Sequence, residues 1–150
     1  MFRWPVTSSQ GRVVEEQVGS VHVHRINLGR IVLNVRDIGS GPPVIFLHGI
    51  TSNSAVFEPL MHRLKGRFRC IAVDQRGHGL SDKPAAGYRA RDYAEDIVAL
   101  AASLEAGPVI LVGHSLGARN SVEAAALAPE AMKCVVAIDF TRKIVLIGGT

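Results

Sequence analysis

Long apolar segments and cysteines are scarce in this sequence. No apolar run approaches the roughly 20 residues that a membrane helix needs, and residues 1–10 lack the apolar core of a secretory signal peptide. The two cysteines, Cys70 and Cys134, show neither a CxxC motif nor the spacing of metal ligands. Each begins an apolar run, so we expect buried free thiols. Together these features predict a cytoplasmic protein that does not bind membranes.

Aromatic residues and excess charge are also scarce. Aromatic residues make up 5% of the chain, and the net charge is +4, from 17 basic and 13 acidic residues. The densest basic group is not interleaved with aromatic residues, so we expect solvated charge there and no nucleic-acid binding; its members are Arg63, Lys65, Arg67 and Arg69. The 47% of hydrophobic residues in 150 is enough for the core of one domain.

The first part of the chain is predicted to form a hairpin. Residues 1–20 are polar and broken by glycine, which indicates a disordered leader. Alternating apolar and polar residues at 21–28 and 31–38, with a turn at 27–30, predict two antiparallel strands. Residues 21–150 are therefore expected to form one domain that begins with this hairpin.

Beyond the hairpin, short apolar strands alternate with amphipathic helices. The predicted strands are 44–47, 69–73, 109–112 and 135–138, and the helices are 55–65, 91–106 and 116–128. The first helix should begin near Glu58, because Pro59 is tolerated only in a first turn. This alternation predicts an α/β fold, with a mostly parallel sheet covered by helices on both faces.

A G-x-S-x-G motif follows the third apolar strand and precedes the third helix: Gly113-His114-Ser115-Leu116-Gly117. A tight strand-to-helix turn of this kind lifts a serine hydroxyl above the sheet, and the two glycines avoid collisions with the adjoining backbone. The alternative, a glycine-bounded loop with an incidental serine, does not require the flanking strand and helix. The motif therefore favours Ser115 as a nucleophile.

Two further segments follow strands. His48-Gly49-Ile50 ends the strand 44–47, which places the backbone N–H groups of Ile50 and Leu116 as candidate donors to an oxyanion. In the segment 74–84, His78 and Asp82 could form an acid–base pair, but we favour structural packing, with Asp74 holding the loop through backbone hydrogen bonds.

These segments, in this order and spacing, resemble the α/β-hydrolase superfamily. The stretch from about residue 31 to 140 is more closely similar to the 2-(acetamidomethylene)succinate hydrolases of bacterial vitamin B6 degradation. The similar runs are 48–57, 74–84, 113–120 and 136–141. The resemblance implies an α/β-hydrolase fold and cleavage of an enamide C–N bond in a small dicarboxylate, without metal or organic cofactor.

The resemblance also implies roles for individual residues. Ser115 would be the nucleophile, and Ile50 and Leu116 would donate to the oxyanion. Asp139, the only aspartate after Ser115, would be the acid of the catalytic triad, or else an ordinary carboxylate at a strand end. An esterase, a C–C hydrolase and a non-catalytic ligand-binding scaffold of the same fold remain alternatives. A haloalkane dehalogenase is disfavoured because its nucleophile is a carboxylate.

The family pattern is incomplete in this sequence. The family order is nucleophile, acid, histidine, yet no histidine follows Ser115. We therefore expect little or no turnover from the 150-residue chain, with the lid, the last strands and the histidine loop lying beyond it. Residues 142–150 no longer resemble the family, as a frameshift, a premature stop or a truncated gene model would produce. The strand 135–138 should then expose an edge and favour self-association into a homo-oligomer.

Overall fold

The computed structural model of the chain describes residues 20–140 and the backbone of residues 145–148. The leader predicted for residues 1–20 lies outside this part except for Ser20. Most of the segment 142–150 also lies outside it.

Every strand and helix predicted within residues 20–140 is present, with small differences at the ends. The strands are β1 (His22–Asn27), β2 (Val32–Ile38), β3 (Pro43–Leu47), β4 (Arg69–Val73), β5 (Val109–His114), β6 (Met132–Ile138) and β7 (Val145–Gly148). The helices are α1 (Glu58–Leu64), α2 (Ala90–Ser103) and α3 (Leu116–Leu127), with 3₁₀ turns at Ser54–Phe57 and Pro129–Ala131.

The end of α2 and the start of β6 each differ by three residues from the prediction. The helix ends at Ser103, whereas apolar spacing extended it to residue 106. Glu105 adopts a φ of +50° and Gly107 a φ of +76°. Left-handed residues of this kind end a helix and turn the chain away from its axis. The turn directs the chain into β5.

The seven strands form one sheet in the order β1-β2-β4-β3-β5-β6-β7. The four central strands, β4, β3, β5 and β6, are parallel to one another. The hairpin of β1 and β2 joins one edge and pairs antiparallel with β4. The predicted α/β-hydrolase fold, with a parallel centre and a leading antiparallel hairpin, is confirmed.

Two apolar clusters place the helices on opposite faces of the sheet. The larger cluster joins α2 and α3 to the sheet through side chains such as Ile97, Leu100 and Ala118. The smaller cluster joins the α1 side to the sheet, with Phe57 and Met61 packed among its buried residues. Because apolar side chains are removed from water on both faces, the central strands read as continuous apolar runs.

The edge of β6 is not exposed, which corrects the expectation drawn from the sequence. Residues 145–148 form β7, which pairs antiparallel with Cys134–Ala137 of β6. The sequence places apolar residues at 145–147, so a short strand can form where no element was predicted. With this neighbour in place, the basis for expecting self-association through the β6 edge is lost.

Within the described residues, no helix combines the length and the apolar character needed to cross a bilayer.

The two thiols differ in environment, although neither is in a disulfide. Cys70 is buried, as predicted, and burial, helped by the nearby charge of Asp37, raises the pKa of its thiol to about 11. Cys134 is only partly buried, so the prediction of two buried thiols holds for Cys70 alone.

We expect iodoacetamide to alkylate Cys134 well before Cys70 at pH 8. The thiolate is the reactive form, and Cys70 is both shielded and protonated at this pH. Mass spectrometry of peptides after timed quenching measures the two rates. Cys70 should react readily only after unfolding in urea, and equal rates in the folded chain would contradict the structure.

Candidate active site

The predicted site residues follow three neighbouring parallel strands at one edge of the sheet. Leu47 of β3 lies opposite Gly113 of β5, and His114 of β5 lies opposite Ile138 of β6. Ile50, Ser115 and Asp139 therefore lie beyond the carboxyl ends of adjacent strands. In open α/β sheets this is the edge at which ligands bind.

Ser115 forms the turn between β5 and α3 in a strained conformation. Its φ is +52° and its ψ is −111°, which a residue with a side chain rarely adopts. Its backbone N–H donates to Ile138 O at 2.9 Å, which holds the turn against β6. Its side chain makes no capping hydrogen bond to α3. The hydroxyl is therefore not used to cap the helix that follows it, and its role as a nucleophile stays a prediction.

The two glycines of the motif are required by packing. A Cβ on Gly113 would lie 2.3 Å from Gly117 O, and a Cβ on Gly117 would lie 2.0 Å from Leu47 O. Real Cβ atoms do not approach backbone atoms so closely. The absence of these side chains lets α3 pack directly on β3, which confirms the steric reason inferred from the sequence.

The loop after β3 lies against the serine. A Cβ on Gly49 would be 3.6 Å from Ser115 Cβ and 3.1 Å from His114 Nδ1. Leu116 is the first residue of α3, so its N–H has no acceptor within the helix. The candidate oxyanion donors, Ile50 and Leu116, thus belong to two segments that meet at Ser115. Their role as donors stays a prediction.

Hydrogen bonds hold the buried His48 ring between the loop after β3 and the loop after β4. Its Nε2 accepts from the backbone N–H of Gln75 at 3.1 Å, so its proton is on Nδ1, which donates to Gly49 O at 2.7 Å. Burial, the largest influence, lowers the pKa of His48, and the neighbouring His78 lowers it further. The neutral ring braces the loop, and both of its nitrogens are occupied.

Asp139 follows β6 with a left-handed φ of +56°. Its side chain is exposed, and its Oδ2 lies 3.8 Å from His114 Nε2, on a ring that is itself half-exposed. This places a carboxylate beside the serine turn, as the sequence predicted. An exposed pair at this distance contributes little to stability, and the role of Asp139 as triad acid stays a prediction.

His78 and Asp82 are not paired with each other. The His78 nitrogens face Arg76 O at 3.0 Å and Ile50 O at 2.8 Å. Asp82 accepts from the backbone N–H of Val32 and from Arg25. The preference for structural packing over an acid–base pair is confirmed, and His78 also steadies the carbonyl of Ile50.

Asp74 organises the loop that carries these groups. Its buried carboxylate accepts from the backbone N–H groups of Ser54 and Leu80 and from the side chain of Asn34, at 2.7–3.0 Å. Burial raises its pKa, but the hydrogen bonds from Ser54, Leu80 and Asn34 outweigh that effect, and the pKa lies below its usual range. The predicted role in holding the loop is confirmed.

Asp74→Asn is expected to lower the free energy of unfolding by about 2 kcal/mol at pH 7, because the amide group would face N–H donors. The folded-state pKa is depressed, so the charged carboxylate stabilises the fold above about pH 4, near the unfolded pKa. This contribution is lost as the pH falls through the folded pKa. Urea unfolding from pH 7 to pH 3 should show the difference from wild type shrinking below pH 4. Asp82→Asn, at a half-exposed carboxylate, is the matched control and should lower the free energy of unfolding by less at pH 7. Equal losses in the two variants at pH 7 would contradict the proposed role of the Asp74 hydrogen bonds.

Sequence reasoning missed two buried polar residues next to the site. Gln75 donates from Nε2 to His48 O at 2.7 Å, and its Oε1 accepts from Asn120 Nδ2 at 2.7 Å. No local pattern signals this link, because the partners lie 27 and 45 residues apart.

The part of the chain that the structure describes has no metal-binding group of side chains, and a surface depression in it lies away from Ser115. Among the described residues, no group of three His, Cys, Asp or Glu side chains could hold a metal ion. A surface depression of about 230 Å³ lies at the opposite edge, beside the start of β5, lined by residues such as Gly107 and Glu130. Its lining residues include no serine, cysteine or histidine.

Comparison with known proteins identifies the family. Residues 42–145 match the family model described as the alpha/beta hydrolase fold. The chain belongs to the α/β-hydrolase family. The match includes the loop after β3, the serine turn and the strand that leads to Asp139.

A named hydrolase is among the similar sequences. The chain is 68% identical over 117 residues to 2-(acetamidomethylene)succinate hydrolase of Mesorhizobium japonicum, covering 78% of this chain and 42% of that protein. It is also 46% identical over 88 residues to the AB hydrolase superfamily protein YisY of Bacillus subtilis, covering 58% of this chain and 33% of that protein. This α/β-hydrolase chain therefore spans less than half the length of these relatives.

Solved structures agree with the fold. The crystal structure of E-2-(acetamidomethylene)succinate hydrolase superposes with a TM-score of 0.80 at 66% identity, covering 81% of this chain and 46% of that one. Epoxide hydrolase VrEH1 from Vigna radiata superposes with a TM-score of 0.76 at 30% identity, covering 81% of this chain and 40% of that one. The chain thus carries a hydrolase-type domain.

Proposed function

We propose that this chain supplies the nucleophile and the oxyanion hole of a serine hydrolase that cleaves a C–N bond. The observation that carries the proposal is the strained turn at Ser115, with the backbone of Gly49 packed against its side chain. Ser115 Oγ attacks the substrate carbonyl carbon, and the N–H groups of Ile50 and Leu116 bind the oxyanion that forms. Asp139 is the proposed triad acid.

The proposed reaction proceeds through an acyl-enzyme. As the C–O bond to Ser115 forms, a base removes the hydroxyl proton, and that proton passes to the departing nitrogen when the C–N bond breaks. Water then attacks the ester, which releases the acid and restores the hydroxyl. Acyl transfer of this kind needs neither a metal nor an organic cofactor.

None of the chain's six histidines is well suited to be the base. His114 directly precedes Ser115, and because successive side chains along a strand point to opposite sides, we expect its ring to point away from the serine hydroxyl. His22 and His24 lie on β1, beyond β2 and β4 from the site, and His62 lies on α1. His48 and His78 direct both ring nitrogens at backbone groups. We therefore propose that a histidine outside these 150 residues completes the triad, and that the chain alone has little or no turnover.

The proposed substrate is a small carboxylated amide or enamide such as 2-(acetamidomethylene)succinate. The 68% identity to the Mesorhizobium japonicum hydrolase supports this proposal, because the matching region includes the proposed nucleophile and the loop after β3 at residues 48–52, the proposed oxyanion loop. An esterase, a C–C hydrolase and a non-catalytic scaffold of the same fold are the alternatives. Assays with 2-(acetamidomethylene)succinate and with an ester substrate distinguish the proposed function from an esterase and from a non-catalytic scaffold.

A hybrid enzyme distinguishes these functions. The matching 117-residue segment of the Mesorhizobium japonicum hydrolase is replaced by its counterpart from this chain. We expect the hybrid to consume 2-(acetamidomethylene)succinate, with turnover followed by loss of substrate absorbance. Turnover of p-nitrophenyl acetate alone would favour an esterase. A folded hybrid that is inactive on both compounds would contradict the proposed function.

A further inference from the structure

Gln75 is a buried residue that connects the oxyanion loop to the nucleophile helix. It follows Asp74 directly after β4 and is 3% exposed. On one side its backbone N–H and its side-chain amide both bond to His48, at 3.1 and 2.7 Å. On the other side its Oε1 accepts from Asn120 of α3 at 2.7 Å. One side chain thus connects the loop after β3 to the helix that begins at Leu116.

The contacts with His48 fix a peptide plane. Because Gln75 N–H occupies His48 Nε2, the ring proton is on Nδ1 and is donated to Gly49 O. Gly49 O also accepts from the backbone N–H of Ser52 at 3.1 Å. The peptide from Gly49 to Ile50 is trans, so its C=O and N–H point in opposite directions. Holding the carbonyl therefore sets the direction of the Ile50 N–H.

Asn120 indicates that the hydrogen bonds through Gln75 do more than fill space in the core. The residue is completely buried, and its Oδ1 has no hydrogen-bond partner among the described residues. An unsatisfied buried carbonyl is costly, and an apolar side chain would avoid that cost. Buried polar networks instead select one arrangement of the elements they join. The arrangement selected here is that of α3 relative to the loop after β3.

We propose that Gln75 is a positioning residue that, through His48 and Asn120, fixes the Ile50 N–H relative to the Leu116 N–H. The proposal rests on the proposed function, in which these two groups form the oxyanion hole. Gln75 itself touches no reacting atom. It keeps two donors from separate elements aligned before a substrate arrives, as oxyanion holes require.

Nuclear magnetic resonance of the 150-residue chain tests the positioning directly. Gln75→Met keeps the length and burial of the side chain but removes both side-chain hydrogen bonds. We expect the backbone order parameter of the Ile50 amide to fall from about 0.85 to below about 0.6, while the amides of β5 stay rigid. Asn120→Ala removes only the link to α3 and should give a smaller fall. It serves as the second variant if Gln75→Met fails to fold.

Ser121→Ala is the matched control. Ser121 is also buried on α3, but its hydroxyl donates to Gly117 O at 2.7 Å, within its own helix. This variant should leave the Ile50 amide unchanged. Circular dichroism confirms that each variant is folded.

A phosphonofluoridate provides the chemical measurement, applied to the hybrid enzyme because that protein supplies the base that the 150-residue chain lacks. Ser115 Oγ forms a bond to phosphorus, the P–F bond breaks, fluoride leaves, and the hydroxyl proton passes to the buffer. The adduct is quantified by mass spectrometry at pH 8. We expect Gln75→Met to slow labelling about tenfold or more, because a misplaced group of this kind costs up to about a hundredfold.

The outcomes separate the two proposals. A rigid Ile50 amide in folded Gln75→Met overturns the positioning role, whatever the labelling rate. A mobile amide with unchanged labelling overturns the link to the oxyanion hole. A mobile amide with slowed labelling supports the proposal. If the hybrid enzyme without the Gln75 substitution is labelled no faster than its Ser115→Ala variant, the proposed function fails, and the link to the oxyanion hole fails with it.

Discussion

Replacing Gly117 by alanine is expected to lower the free energy of unfolding by about 3 kcal/mol or more. The new Cβ would lie 2.0 Å from Leu47 O, 2.5 Å from Leu47 C and 2.8 Å from Leu47 Cβ. Two of these atoms are backbone, so no side-chain rotation relieves the overlap, and α3 must move away from β3. Overpacking in a core costs about 1–3 kcal/mol, and a backbone collision belongs at or above that range. Since the free energy of unfolding of native domains is only about 5–15 kcal/mol, a loss of this size should leave the variant marginally stable.

Urea unfolding followed by circular dichroism measures this loss. Gly66→Ala is the matched control, because a Cβ there has no neighbour within 4 Å. We expect the control to unfold within about 0.5 kcal/mol of wild type. If Gly117→Ala were as stable as Gly66→Ala, the close packing of α3 on β3 would be wrong. The loop after β3 would then have no fixed relation to the serine turn.

The parts of the fold that the sequence predicted are those determined by neighbouring residues. The strands β3 to β6 are short apolar runs, and the helices between them have apolar residues at helical spacing. The parallel centre follows, because helices connecting the strands cross from one end of the sheet to the other. The glycine pattern around Ser115 could be predicted for the same reason, since a tight strand-to-helix turn has few sequence solutions.

What could not be predicted depends on contacts between distant residues. β7 is four residues long and becomes a strand only because the edge of β6 is available to pair with it. Gln75 is one polar residue in a polar loop. Its hydrogen bonds to His48 and Asn120 form only when the loop after β3 and the helix α3 lie on either side of it. The partners of His78 likewise could not be read from the sequence, which allowed an acid–base pair with Asp82. In the structure the two ring nitrogens of His78 face carbonyl oxygens instead.

The largest expected effect is on catalysis. In the hybrid enzyme, Ser115→Ala should lower kcat for 2-(acetamidomethylene)succinate by about 10⁴-fold or more, because removing a nucleophile leaves only binding and oxyanion stabilisation. KM should change little, since the lost hydroxyl bonds to the substrate only as the reaction proceeds. Ser121→Ala, a buried hydroxyl on the same helix, should retain most of the activity. A comparable loss in both variants would indicate structural damage instead of a missing nucleophile.

The 150-residue chain alone provides the complementary measurement. Its hydrolysis of p-nitrophenyl acetate should stay within a few-fold of Ser115→Ala, because a serine hydroxyl without a base is a weak nucleophile at neutral pH. His48 and His78 cannot easily serve as that base, because each would have to give up contacts that hold the oxyanion loop. Turnover far above the Ser115→Ala control would show that a base lies within the chain. His48→Gln in the wild-type chain would then be the first variant to assay, since His48 lies directly next to Gly49 of that loop.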